Sequence, residues 1–373
     1  MRTIILTLLF IHGLAHAQQT YNVDLTIHNR IDTTKQEVKE IITLWKNYLA
    51  SNPDSIYDNP YWNQAEKGKY RDFDFTRQFL YRIPPEKLLN YFKPTVLSVV
   101  KKNNAWAIRT LFYADGMKGK ARKSNPWCIT ELYAVKENGD WKLKNALPVI
   151  TREWEQKEAG KIRYIYPPDH QFSDSLAQKS NAFCQRITKK FQLPAWEPFD
   201  FYISGSPEKL GRLLGFDFFF VGYTTGMGWK RERILFTGKG SEWYPHEFIH
   251  LILPDKSRHY MIEEGFATWQ GGAKGKTFEE NAAILAGKLA KADTVTFNDI
   301  LNRQWGRQYL AYYTTGAIIC KKAYEKNGVT AIEKLLNVRP GNEKLKKTLS
   351  DIFDVEEIKM DNLIKEEILT YPK

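Results

Sequence analysis

The chain has 373 residues, with 55 Lys and Arg against 43 Asp and Glu, a formal charge of +12. Its basic residues are dispersed and accompanied by no helix-turn-helix, zinc-finger or RNA-binding signature, so no nucleic-acid partner is expected. With 43% hydrophobic residues, 11 Trp, 20 Tyr and 21 Phe, and no repeats or low-complexity tracts, it has apolar surface for two cores.

Arg2, the apolar run 4–10 and Ala15-His16-Ala17 read as a secretory signal peptide, residues 1–17. Cleavage would leave Gln18 first and a charge of +11. No Cys follows the run, so no lipid anchor is indicated, and nothing later approaches a membrane-spanning length. The mature chain is expected to be exported, periplasmic or secreted, with no integral membrane segment. Its 3 cysteines, Cys128, Cys184 and Cys320, allow at most one disulfide, whose pairing is not readable.

Val38, Ile41, Ile42, Trp45, Tyr48 and Leu49 recur at helical spacing and predict a helix over 35–50, with Thr33 or Thr34 as N-cap. A turn-rich aromatic stretch, 57–81, precedes strands at 96–100, 105–113 and 129–135. Asn138-Gly139 then turns the chain into a hairpin strand at 141–143. The basic run 118–123 reads as a solvated loop. This helix-then-meander pattern resembles the nuclear-transport-factor-like fold, and the Trp and Tyr pairs are read as its core. Composition changes near residue 155, giving an N-terminal α+β accessory domain at 18–155 and a second domain at 156–373.

The second domain is expected to open with a strand at 161–166, a helix at 173–191, a strand at 199–203, a short helix at 207–214 and an edge strand at 233–236. Behind it the pattern is almost wholly helical: 278–292, 297–301, 308–326, 330–336, 343–353 and 359–369. Between these halves lies His246-Glu247-Phe248-Ile249-His250. On a helix, residues four apart share a face, so His246 and His250 can grip one metal ion. Glu247, rotated about 100° from His246, can reach a metal-bound water without binding the metal. A carboxylate further along would complete the protein ligands and leave a position open for that water. Pro254-Asp255 stops this helix, and a second starts near Tyr260 and carries Glu264.

These residues, with Glu264-Gly265-Phe266-Ala267, resemble the gluzincin metallopeptidases, the clan of thermolysin and the alanyl-aminopeptidase type. The gap of residues 251–263 is shorter than in the latter, and the likeness is closest to the broader peptidase MA-like group. The resemblance implies Zn²⁺ held by His246, His250 and Glu264, with Glu247 as general base. Glu263, one residue earlier, would face another side of its helix. Tyr313-Thr314-Thr315-Gly316-Ala317 matches the clan's Tyr-x-x-Gly-Ala, which implies Tyr313 as the oxyanion donor, with Tyr312 its competitor in register. Metzincins are disfavoured, because Leu253 and Lys256 stand where that group has Gly and His.

The fold class implied is α+β, an N-terminal helix-plus-antiparallel-sheet domain followed by a zincin, thermolysin-like domain with a small sheet and a mostly helical C-terminal half. The function implied is zinc-dependent hydrolysis of peptide or protein substrates. Gly226-Met227-Gly228-Trp229 supplies the Gly and Met of the clan's aminopeptidase motif but not its acid, so an endopeptidase is favoured over an aminopeptidase. The alternative is an inactive zincin scaffold that binds peptide or glycan.

Overall fold

The computed structural model describes residues 22–51, 59–70, 74–79, 89, 91–114, 125–219, 222, 224–292 and 294–372. The expected signal peptide and the basic run 118–123 lie outside these residues, as does part of the aromatic stretch 57–81. The chain is α+β and divides into two units, residues 1–146 with 215–220, and residues 147–214 with 221–373.

In the first unit, helix α1 (Gln36–Ala50) buries Val38, Ile41, Leu44, Trp45, Tyr48 and Leu49. Its N-cap is Lys35 and not a threonine. The Thr34 hydroxyl is used differently, donating to Asp32 Oδ1 at 2.5 Å in the preceding turn. Strands β2 (Phe92–Lys102), β3 (Ala105–Ala114), β4 (Asn125–Glu137) and β5 (Asp140–Lys144) form an antiparallel meander, with β1 (Thr26–Ile27) parallel to β2. Along β4, Cys128, Thr130, Leu132 and Ala134 alternate onto one buried face, the two-residue period of a pleated strand. Asn138 and Gly139, at φ 54° and 91°, make the β4–β5 turn. Trp141 on β5 donates from Nε1 to Glu40 of α1 at 2.9 Å. A strand not expected from the sequence, β9 (Phe216–Phe219), pairs antiparallel with β4.

The second unit has a sheet in the order β10-β11-β8-β7-β6, built from β6 (Glu155–Ala159), β7 (Ile162–Tyr166), β8 (Phe199–Ile203), β10 (Gly226–Trp229) and β11 (Ile234–Thr237). β7, β8 and β11 are parallel, and β10 runs antiparallel along the edge. A parallel pair needs a crossover, and the helix Asp174–Lys190, capped by the Ser173 hydroxyl, provides it between β7 and β8. From Pro245 onward the unit is helical. The helices Phe278–Leu289 and Phe297–Leu301 both begin with capping boxes, Thr277 with Glu280 and Thr296 with Asp299. The helices expected at 308–326 and 330–336 are one element, Ala311–Leu336, broken at Gly328. Gly328 lies at φ 61°, ψ −144°, a backbone state open in practice only to glycine.

Candidate metal centre

The helix Pro245–Ile252 starts at a proline in its first turn, which sets φ for the helix without losing an intrahelical donor. Phe248, Ile249, Leu251 and Ile252 are buried in the core of the second unit. The Phe248 ring meets Phe201 of β8 edge-on at 5.5 Å between centres. Burial of one such side chain stabilises by about 1.5–3 kcal/mol, so this face pins the helix. The rest of the first turn, with His246 and Glu247, lines a cleft of about 1210 Å³.

The next helix, Tyr260–Gly271, carries Glu264 towards the two histidines. His246 Nε2 lies 3.2 Å from Glu264 Oε2, and His250 Nε2 lies 3.7 Å from the same oxygen. One ligand atom from each of the three residues falls within 4.8 Å of the others. Two ligands about 2 Å from a common ion at a tetrahedral angle are roughly 3.3 Å apart, so the spacing suits a small divalent cation. The outer nitrogens are occupied: His246 Nδ1 by the Gly272 carbonyl at 2.7 Å, and His250 Nδ1 by Glu263 Oε1 at 3.4 Å. With each Nδ1 so held, both Nε2 atoms are turned to the Glu264 carboxylate. This donor set, two imidazoles and a carboxylate, can hold a metal ion.

Glu263, on another side of its helix, stands outside the converging set but contacts one of its histidines from behind. It bridges His250 and the Lys230 ammonium. Sequence reasoning missed Lys230 and the Gly272 carbonyl. The Glu263-Glu264 doublet was the one available signal. Burial alone would lower the pKa of His250, but Glu263 and Glu264 beside it outweigh that and raise it well above the usual range. Burial would likewise raise Glu264, yet its contacts with His246 and His250 hold it well below an ordinary carboxylate. The same balance, with His250 and Lys230 as partners, lowers Glu263 to about 2.

Two glycines bring the helix Ala311–Leu336 to the site. A Cβ on Gly265 would lie 2.3 Å from the Gly316 carbonyl carbon, and one on Gly316 would lie 2.1 Å from the Met261 carbonyl oxygen. The helices Tyr260–Gly271 and Ala311–Leu336 thus touch backbone to backbone, which brings Tyr313 beside His246. Its ring runs nearly parallel to His246, at 12° with centres 6.4 Å apart, and its hydroxyl is 2.7 Å from that of Tyr260. Tyr312 lines the same cleft but lies under the Arg303 guanidinium, 4.3 Å from its ring centre. Burial raises the pKa of the Tyr313 phenol, as does the nearby Glu264. Gly226-Met227-Gly228-Trp229 is the edge strand β10, and no acid stands in it.

No family model matches this chain, and no curated protein matches it. Among solved structures it is similar to an M1 zinc metallopeptidase mutant from Deinococcus radiodurans crystallised with a Tyr-Ser-Ala substrate, at 10% identity and a TM-score of 0.36. The match covers 75% of this chain and 62% of that one, so this chain spans less than two thirds of its length. So remote a likeness leaves the chemistry to be argued from the side chains.

Proposed function

We propose that this is an exported zinc-dependent peptidase of the gluzincin type, with residues 1–17 as its signal and the first unit as an accessory module. The observation that carries this reading is the convergence of His246 Nε2, His250 Nε2 and one Glu264 oxygen, with both Nδ1 atoms held from behind. His246, His250 and Glu264 would hold the zinc, which when bound would supply a Lewis acid able to lower the pKa of water to about 7 and polarise a carbonyl.

The chain's own groups then divide the work. Glu247, next to His246 and lining the cleft, takes a proton from the attacking water and returns it to the leaving amine. The Tyr313 hydroxyl donates a hydrogen bond to the carbonyl oxygen as it gains charge. Tyr260, bonded to that hydroxyl, fixes its direction. The lack of an acid in β10, where an aminopeptidase would grip a free amino terminus, favours internal cleavage.

The test is Glu247→Gln. Peptide turnover should fall by about 10²–10⁴-fold while zinc content stays at the wild-type level. Turnover kept in this variant would remove Glu247 as the base and the mechanism with it.

A further inference from the structure

The cleft beside the proposed centre is lined by five cations, Lys239, Lys274, Lys276, Arg303 and Arg307. The acids that line it are Glu247 and Glu279. Elsewhere in this unit basic groups meet carboxylates, as Arg163 meets Asp200 at 2.7 Å and Lys157 meets Asp174 at 2.7 Å. Among the described residues, none of the five cleft cations forms an ion pair.

Their placement is fixed by other means. The Arg303 guanidinium lies 4.5 Å from the ring centre of Tyr260 and 4.3 Å from that of Tyr312. Stacking of this kind holds the planar fork while leaving edge donors for a bidentate acceptor. Lys239 sits 4.0 Å from the ring centre of Tyr244, close to Glu247. Lys274 and Lys276 come from the bridged turn between Ala273 and Lys276, and Arg307 from the turn ahead of the last site helix. Cations from three separate segments thus converge on one concave surface, where their fields add and favour an anionic guest.

Resting on the peptidase reading, we infer that this cleft selects peptides that carry carboxylates, with Arg303 and Arg307 as specificity-determining residues. The Tyr260 ring contributes twice. It carries Arg303 on its face, and its hydroxyl meets Tyr313. A carboxylate on Arg303 would therefore anchor the peptide next to the bond to be cut. Acidic side chains and a free C-terminus present the same chemistry to the cleft, and the test separates them.

Glu247→Gln protein supplied with zinc would hold peptides uncut, so dissociation constants can be measured on one set of matched sequences. The set carries Glu, Gln or Lys at the same positions, each with a free or an amidated C-terminus. The Glu peptide should bind about tenfold more tightly than its Gln counterpart, and the Lys peptide more weakly than either. Added salt should narrow that gap. In the combined Arg303→Gln and Arg307→Gln variant the gap should collapse, whereas Arg303→Lys with Arg307→Lys should keep part of it. A gain that follows the free C-terminus assigns the arginines to the terminal carboxylate, and one that follows Glu assigns them to side chains. Equal binding of all four Glu and Gln peptides, free and amidated alike, a carboxylate-dependent gap that survives loss of both arginines, or binding of no peptide overturns the inference. Wild-type cleavage assays separate the two claims. Cleavage without charge preference sinks only the selectivity, and charge-selective binding without cleavage sinks only the peptidase.

Discussion

Both imidazoles of the candidate centre are held at Nδ1, but by different groups. His246 meets a backbone carbonyl, whereas His250 meets Glu263, itself paired with Lys230. A carboxylate behind an imidazole orients the ring and raises the electron density at the opposite nitrogen, which strengthens it as a ligand. Glu263→Gln keeps the shape of this contact and removes its charge. Zinc affinity should fall by about 10- to 100-fold in a chelator competition, with little change in overall fold. Affinity equal to wild type would mean that Glu263 serves only Lys230.

Helix contact decides whether these residues meet at all. Because Gly265 and Gly316 admit no Cβ, the helix with Glu264 and the helix with Tyr313 approach more closely than side chains allow. Gly316→Ala should force them apart at a cost of about 1–3 kcal/mol, lowering the thermal midpoint by several degrees and reducing turnover together. A variant as stable as wild type would show that the crossing relaxes without penalty. The same helices mark how far sequence could be read. The four-residue spacing of His246 and His250 is local to one helix and could be read from sequence, with Glu264 added by the motif likeness, and these three residues converge, while Glu247 and Tyr313 line the cleft. The contacts behind the ligands were not legible, because the Gly272 carbonyl and the Glu263–Lys230 pair reach the histidines only after three separate segments have packed. Helix α1 and the Asn138-Gly139 hairpin were legible for the same local reason. Strand β9 was missed because its pairing with β4 joins residues far apart in sequence, Cys128 with Phe219.

At the scale of the whole molecule, the first unit holds a meander with α1, and the second holds the sheet and helices that build the centre. Their stability does not rest on disulfides, since Cys128, Cys184 and Cys320 are all free and buried. Burial pushes the Cys184 thiol up to about 12, so it stays protonated and unreactive near neutrality. The excess of positive charge is formal over the chain, but in the second unit part of it is gathered around the cleft. Every role proposed for these residues depends on the metal. The most direct test is the zinc content of the purified full-length protein, measured beside His246→Ala. About one zinc per chain is expected in the wild type, and its loss in the variant. No zinc in the wild type after reconstitution, or equal zinc in both proteins, would contradict it.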